Sequence, residues 1–182
     1  MTIIIEKIIQ QYGEKTLRKS AMNIRRGGGV FEAVLNGKRH WTVLEIGTYK
    51  GVSSAVLSQH CAMVHTIDLR YGKLEQNLTT WDRNAFWNSL GISNVALHLV
   101  DDDKEKADVI RTHHFDLAFI DGGHTTAAVQ RDFELVKHCG RVLFHDADDN
   151  GPGKKNDVHN FIKTLDQTKV VFMDSIFALW LA

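Results

Sequence analysis

Short apolar runs alternate with longer mixed segments along most of the chain, and this alternation predicts strands and helices in turn. The runs are rich in Val, Ile, Leu and Phe and are too short for helices, which is typical of strands buried on both faces. The predicted strands are Thr42–Ile46, Met63–Asp68, Ala96–Val100, Asp116–Ile120, Arg141–Phe144, Lys169–Met173 and Phe177–Leu181. The segments long enough for crossover helices are 52–60, 74–90, 103–112, 125–138 and 158–165.

The last two predicted strands are joined by only three residues, 174–176. A parallel crossover needs a dozen or so residues, so these two strands must run antiparallel. We therefore predict an α/β fold with a single doubly wound, mostly parallel sheet of seven strands and a reversed last strand.

The first forty residues have a helical pattern. Ile4, Ile5, Ile8 and Ile9 fall on one face of a first helix, and a second helix is predicted from about Val30 to Leu35, after a break at the three glycines 27–29. We interpret residues 1–40 as a helical lid or cap on a domain formed by residues 41–182. The loop 147–157, which contains the single proline, is predicted to contribute to the lid.

Composition narrows the classes of partner. The 182 residues suit one domain, and 22 basic residues balance 22 acidic ones. A net charge of zero gives no reason to expect a nucleic acid or an anionic membrane surface. We predict a soluble, cytoplasmic domain for three reasons. The two cysteines lack a C-x-x-C spacing, the start lacks a signal-peptide pattern, and there is no apolar run of about 18 residues.

The segment Glu45–Gly51 (EIGTYKG) joins the first strand to the first crossover helix. Ligands bind at this end of a doubly wound sheet, where glycine permits a positive φ and a close approach. A P-loop is excluded because Lys50 precedes Gly51, and a dinucleotide loop is disfavoured because Tyr49 replaces the second glycine. Glu45 would repel a pyrophosphate but suits a cationic ligand. The alternative is a tight turn without a ligand.

Acidic residues end the next two strands. Asp68 lies about twenty residues after the glycine loop, where a carboxylate can accept both hydroxyls of a ribose; a strand-end cap is the alternative. Asp101 or Asp102 can accept a hydrogen bond from an adenine amino group or cap a helix, whereas Asp103 is predicted to start that helix.

These features together resemble the class I S-adenosylmethionine-dependent methyltransferases. The resemblance covers residues 41–182 and rests on the E-x-G-x-x-x-G loop, the ribose acid Asp68, the acidic end of strand three and the reversed last strand. It implies S-adenosylmethionine as cofactor, with the loop glycines and Tyr49 along its methionine and ribose side. The cofactor-binding residues that we predict are Glu45, Gly47, Thr48, Tyr49, Gly51, Asp68, Leu69, Asp101, Asp102 and Asp121.

Candidate chemistry follows strands four and five. Asp121 ends strand four, and Asp146 follows strand five directly after His145. Adjacent strands lie about 4.8 Å apart, so the two carboxylates face one crevice and repel each other unless a cation or a shared proton intervenes. Mg²⁺ suits the carboxylates, while His145 is more typical of Mn²⁺, Fe²⁺ or Zn²⁺.

The pattern D-G-x-H after strand four and H-D after strand five resembles a branch of small methyltransferases similar to macrolide-sugar and cephalosporin-type O-methyltransferases. It implies that Asp121 and Asp146 are metal ligands and that His124 is the general base. We add His145 as a further candidate ligand and Asp121 as a candidate catalytic residue, and the resemblance does not assign the third ligand. The alternatives are a strand-end carboxylate that contacts only cofactor or a helix N-terminus, and a histidine that merely starts a helix. Gly123 and the pair Thr125-Thr126 depart from the branch pattern.

The sequence thus predicts O-methylation of a small-molecule acceptor by S-adenosylmethionine, with or without a divalent metal such as Mg²⁺. The alternative is a non-catalytic module that binds S-adenosylmethionine or S-adenosylhomocysteine. We expect no nucleic-acid or membrane partner, and the sequence leaves open whether the protein forms a homo-oligomer. The remaining histidines show no ligand spacing, and Trp81 and Trp87, six residues apart, are expected on different faces with one of them in the core.

Overall fold

The computed structural model describes residues 3–14, 24–70, 81–148 and 157–182. Its helices are α1 (Ile3–Tyr12), α2 (Ile24–Leu35), α3 (Val52–Leu57), α4 (Arg83–Ser89), α5 (Asp103–Arg111), α6 (Thr126–Val136) and α7 (Asp157–Ile162). Its strands are β1 (Thr42–Ile46), β2 (Met63–Leu69), β3 (Val95–Val100), β4 (Leu117–Ile120), β5 (Arg141–His145), β6 (Val170–Met173) and β7 (Phe177–Leu181). Short 3₁₀ turns at Lys137–Cys139 and Gln167–Lys169 precede β5 and β6.

The strands form one sheet in the order β3-β2-β1-β4-β5-β7-β6. The first five are parallel, and β7 runs antiparallel to both β5 and β6, which confirms the predicted reversed last strand. The chain proceeds from β1 outward to β3 and then returns to start the other half at β4. The carboxyl ends of β1 and β4 therefore flank the switch point, where doubly wound sheets bind ligands.

Both faces of the sheet are covered, so successive strand residues enter opposite cores. Val43 and Phe119 pack with α1, α2, α3 and α4 on one face. Leu44 and Ile120 pack with α5, α6 and α7 on the other face. This double burial is the reason that the strands read as continuous apolar runs in the sequence.

The second helix corrects one prediction. The three glycines do not break the chain before Val30, because α2 runs from Ile24 to Leu35 and contains them. The three glycines together cost the helix about 3 kcal/mol relative to alanine, but burial of Val30, Phe31 and Leu35 contributes about 1.5–3 kcal/mol for each side chain. Phe31 is fully buried and meets the rings of Phe119 and Phe177 at centroid distances of 5.1 and 6.1 Å. Packing against the sheet therefore outweighs the weak local propensity.

The N-terminal region contributes to the core of the sheet. Ile4, Ile5 and Ile8 of α1 are buried in the same core as Val43, and Ile9 is partly buried beside them. The role of residues 1–40 as a lid stays a prediction. Residues 15–23, 71–80 and 149–156, which include most of the proposed lid loop, lie outside the described residues. Within the described residues, no helix has the length and apolar character needed to cross a bilayer.

Candidate active site

The glycine loop after β1 packs tightly against the rest of the protein. Gly47 has a φ of 100°, and a Cβ placed on it would lie 2.3 Å from the carbonyl oxygen of Asp121. Gly51 has a φ of 76°, and its Cβ would lie 2.6 Å from the indole ring of Trp87. We expected these glycines to allow a close approach to a ligand. The structure shows that the backbone conformation and the internal packing already require them.

Asp68 lies at the carboxyl end of β2 and connects that strand to the glycine loop. Its Oδ2 accepts hydrogen bonds from the amide of Tyr49 and from the guanidinium of Arg83, both at 2.9 Å. Its Oδ1 accepts from the amide of Leu69, also at 2.9 Å, while the Leu69 residue is 46% exposed. The predicted ribose acid is thus held at the mouth of the predicted cofactor site.

Glu45 is fully buried beneath the loop. Its Oε2 accepts hydrogen bonds from Ser54 and, at 2.6 Å, from Thr66, whose hydroxyl lies 2.6 Å from that of the buried Thr48. Its Oε1 has no hydrogen-bond partner among the described residues. Burial raises the pKa of Glu45 to about 7, the three nearby hydroxyls oppose this, and the charge of Asp121 adds to it. An incompletely paired buried acid is a suitable neighbour for a cationic ligand.

The acidic residues after β3 have separate roles in the structure. Asp102 caps α5, since its Oδ1 accepts from the amides of Lys104 and Glu105 at 2.9 Å each. The helix begins at Asp103, as predicted, and the Asp103 side chain contacts Lys106 at 2.9 Å. Asp101 forms an ion pair of 2.8 Å with Arg70, and both side chains are about half exposed.

The predicted metal ligands converge at the carboxyl ends of β4 and β5. His145 Nδ1 lies 2.9 Å from Oδ1 of Asp121 and 3.3 Å from Oδ1 of Asp146. The side chains of Asp121 and His145 are each 4% exposed, while that of Asp146 is 38% exposed. Asp146 also adopts a left-handed backbone with a φ of 54°, a conformation that is uncommon outside glycine and concentrates at functional sites.

His124 completes the group from the loop after β4. Its Nδ1 lies 2.8 Å from Oδ2 of Asp146, and its side chain is 56% exposed. The contact with Asp146 raises the pKa of His124 although burial opposes the shift. Burial likewise disfavours a charged His145, but the carboxylates of Asp121 and Asp146 outweigh it and raise the pKa of His145 to about 10. Burial opposes the ionised form of Asp146, and contacts with the two histidines nevertheless lower its pKa.

Unpaired buried atoms indicate that Asp121, His145 and Asp146 fit a divalent cation. One ligand atom from each lies within 4.8 Å of the other two, the only such group that occurs in the described parts of the chain. Despite their proximity, Asp121 Oδ1 and His145 Nδ1 are not aligned for a hydrogen bond to any described residue. Two carboxylate oxygens and one imidazole nitrogen suit Mn²⁺, Fe²⁺ or Zn²⁺ better than Mg²⁺.

Other side chains of interest gave no signal in the sequence. Arg83 is buried beside Asp68, but nothing in the segment around it distinguishes it from a surface arginine. His65 and His98 lack ligand spacing, yet their rings are joined by a 3.0 Å contact between nitrogens, and the ring of His113 lies 4.3 Å from that of His65. Trp87 is buried and Trp81 is half-buried, as the spacing predicted.

Comparison with known proteins identifies the family. The family model described as a methyltransferase domain matches residues 44–139, which is more than half of the chain and includes the glycine loop, Asp68 and Asp121. The chain belongs to this methyltransferase domain family. The match confirms the predicted class of enzyme. No curated protein matches the chain.

Solved structures show the same fold as this methyltransferase. A SAH-bound methyltransferase from Podospora anserina is 13% identical, with a TM-score of 0.71 and coverage of 100% of this chain and 89% of that one. The O-methyltransferase TomG from Streptomyces achromogenes, in complex with SAM, is 18% identical, with a TM-score of 0.67 and coverage of 100% and 90%. MycE from the mycinamycin pathway, in complex with Mg and SAH, is 16% identical, with a TM-score of 0.56 and coverage of 84% and 48%. At these identities the likeness establishes the fold alone.

Proposed function

We propose that this methyltransferase domain transfers a methyl group from S-adenosylmethionine to a hydroxyl oxygen of a small-molecule acceptor. The observation that carries the proposal is the position of the His124–Asp146 pair, which lies at the same edge of the sheet as the glycine loop and Asp68. The cofactor supplies an electrophilic methyl group on positively charged sulfur. The protein therefore has to bind the cofactor and the acceptor, orient them and remove the proton of the acceptor hydroxyl. The SAM and SAH complexes of the structural neighbours support this choice of cofactor.

The cofactor-binding residues divide into two groups by their chemistry. When ionised, Glu45 places negative charge under the loop and attracts a cationic ligand, while Thr66, itself hydrogen-bonded to Thr48, donates to its carboxylate and holds it in place. Asp68 is the acceptor for the ribose hydroxyls at the end of β2. Leu69, exposed beside it, offers an apolar surface to the nucleoside. Asp101 and Asp102 are the residues proposed for the adenine end, although capping of α5 already engages Asp102.

His124 is the proposed general base. With a proton on Nδ1 facing Asp146, the lone pair of Nε2 is available to take the acceptor's hydroxyl proton. The carboxylate fixes the tautomer and stabilises the imidazolium that forms, and general-base catalysis of this kind contributes about 10²–10⁴-fold. Because the side chain is 56% exposed, an acceptor can reach it from solvent.

Asp121, His145 and Asp146 are the proposed ligands of a divalent cation. A bound cation would supply Lewis-acid chemistry, which lowers the pKa of a coordinated hydroxyl. The Mg complex of MycE supports metal assistance in this fold. The two carboxylates would balance the ion's charge, and the buried position of Asp121 and His145 would fix two of its ligands. Cytoplasmic location stays a prediction from the sequence, which leaves the oligomeric state open.

Calorimetric titration with S-adenosylmethionine and S-adenosylhomocysteine tests the cofactor assignment. Asp68→Ala should weaken both affinities by about 1–3 kcal/mol if the carboxylate accepts the ribose hydroxyls. Asp108→Ala, which removes an exposed carboxylate paired with Arg111, is the matched control and should bind as the wild type does. Unchanged affinity in Asp68→Ala would reject the assignment.

Turnover is tested with methyl-labelled S-adenosylmethionine and a panel of phenolic, catecholic and sugar hydroxyl acceptors. His124→Asn should lower the rate of label transfer at least 100-fold with cofactor affinity nearly unchanged, whereas the exposed His138→Asn should keep full activity. Cofactor binding without transfer to any acceptor would instead favour the non-catalytic binding module. Equal rates for wild type and His124→Asn would exclude His124 as the base.

A further inference from the structure

The segment around the start of α4 holds three successive carbonyl groups of the glycine loop. Arg83 Nε donates to the carbonyl of Tyr49 at 2.6 Å. Trp81 Nε1 donates to the carbonyl of residue 50 at 3.1 Å, and Trp87 Nε1 donates to the carbonyl of residue 51 at 2.8 Å. These three donors, which we call the loop clamp, come from seven residues of sequence and reach a loop more than thirty residues earlier in the chain.

The loop clamp is built on a well-anchored helix. The side chain of Asp82 caps α4 by accepting from the amides of Asn84 and Ala85 at 2.8 and 3.0 Å. Phe86 and Trp87 are buried in the core on that face of the sheet. The ring of Tyr12 in α1 packs edge-on against Phe86 at 5.2 Å. The donors are therefore fixed before any ligand arrives.

Arg83 differs from the two tryptophans because it also forms an ion pair with Asp68. Its Nη2 lies 2.9 Å from Asp68 Oδ2, and the side chains of Arg83 and Asp68 are 5% and 20% exposed. The same Oδ2 accepts the amide of Tyr49 at 2.9 Å. Arg83 thus fixes the backbone of Tyr49 twice, directly at its carbonyl and through Asp68 at its amide.

This double contact holds an unfavourable backbone conformation. Tyr49 has a φ of 45°, in the left-handed region that costs a residue with a side chain about 1–2 kcal/mol. Such conformations persist only where the surroundings impose them. Here Asp68, the proposed ribose acceptor, holds the Tyr49 amide, and the guanidinium that orients Asp68 holds the Tyr49 carbonyl.

We infer that Arg83 is a positioning residue for the cofactor: its forked guanidinium aligns the Asp68 carboxylate with the Tyr49 peptide so that the ribose site is preformed. The inference rests on the proposed function. Lysine cannot replace this arrangement, because a single ammonium group has no planar fork to reach a carboxylate and a carbonyl together. The contacts of Arg83 described above lie on the ribose side of the site, so its loss should act on affinity rather than on the chemical step.

The test compares two ligands that differ only at the ribose. Calorimetry measures the dissociation constants of S-adenosylhomocysteine and of its 2′-deoxyribose analogue for the wild type and for Arg83→Lys. We expect Arg83→Lys to raise the dissociation constant of S-adenosylhomocysteine at least tenfold and that of the deoxy analogue less than threefold. Arg111→Lys, at an exposed arginine paired with Asp108, is the matched control and should change neither value.

A merely structural role would give a different pattern. In that case Arg83→Lys would lower the urea midpoint of unfolding and would weaken the binding of both ligands equally, and this result would overturn the inference. Unchanged affinity for S-adenosylhomocysteine would overturn it as well. If Arg83→Lys does not fold, Arg83→Gln serves in its place: its amide lacks the guanidinium fork that reaches both Asp68 and the Tyr49 carbonyl, and the same ligand-dependent loss is expected. Failure of the wild type to bind S-adenosylhomocysteine would overturn the proposed function together with the inference, whereas equal losses for the two ligands would reject only the role of Arg83.

Discussion

Glu45 offers a direct test of the electrostatics beneath the cofactor loop. Its pKa is about 7 in the folded protein and near 4.5 when the chain is exposed to solvent. Between these values the folded state keeps a proton that the unfolded state has lost, so unfolding releases a proton. Stability is therefore full below pH 4.5 and falls as the pH rises toward 7. Replacing Glu45 with Gln removes the titrating group and should remove this part of the pH dependence.

The size of the effect follows from the two pKa values. A rise from 4.5 to about 7 corresponds to about 3 kcal/mol of stability lost when Glu45 ionises in the folded protein. Gln adds a penalty of its own, because its amide group at the Oε1 position would lack an acceptor among the described residues, at about 1–3 kcal/mol independent of pH. The variant should thus be less stable than the wild type at pH 5, and the difference in its favour should grow by about 2.5 kcal/mol between pH 5 and pH 8.

Urea denaturation at pH 5, 6, 7 and 8 measures the free energy of unfolding of both proteins. The difference between them is the informative quantity, since other groups titrate equally in each. Glu134→Gln, at an exposed position paired with Lys137, is the control and should track the wild type at every pH. Parallel curves for wild type and Glu45→Gln would refute the assignment of a raised pKa to Glu45.

Three further perturbations test other parts of the structure. Gly47→Ala should cost about 3 kcal/mol or more in urea denaturation, because its Cβ would lie 2.3 Å from the carbonyl oxygen of Asp121; a loss below about 1 kcal/mol would contradict the packing. Burial and the neighbours His113 and His98 lower the pKa of His65 to about 4, so stability falls as the pH drops from 6.5 toward 4. For this half-exposed group the fall attributable to His65 is about 1–2 kcal/mol, and His65→Gln should abolish it. EDTA should lower methyl transfer and Mn²⁺ should restore it, whereas activity that is indifferent to both would exclude metal assistance.

The strands were predictable because their signals are local. Thr42–Ile46 and Phe177–Leu181 match β1 and β7 residue for residue, since burial within the sheet makes most of their positions apolar. The reversal of β7 followed from the length of its connection alone. The α2 helix was not predictable in the same way, because local propensity places a break at its glycines while contacts of Phe31 with β4 and β7 decide the outcome.

In the candidate site, too, the sequence showed the local features and the structure the contacts between distant residues. Residue types at strand ends were visible in the sequence, which is why Asp121, His145 and Asp146 could be proposed as a group before their 2.9 and 3.3 Å contacts were known. Their burial and pKa values depend on neighbours from separate strands, and spacing along the chain does not encode these. The sequence left Asp101 and Asp102 open as the cap of α5, and the choice of Asp102 depends on a backbone geometry that composition cannot specify.

By itself, then, the sequence determined the order of elements, the family and the kinds of chemistry available at the carboxyl edge of the sheet, because periodicity, connection length and residue type are properties of the chain. Only the tertiary structure decided that Arg83 links the glycine loop to Asp68 and that Glu45 is buried with one oxygen that has no partner in the described part of the chain. Hydrogen-bond partners and desolvation are set by residues far apart in sequence, and they exist only once the sheet has brought those residues together.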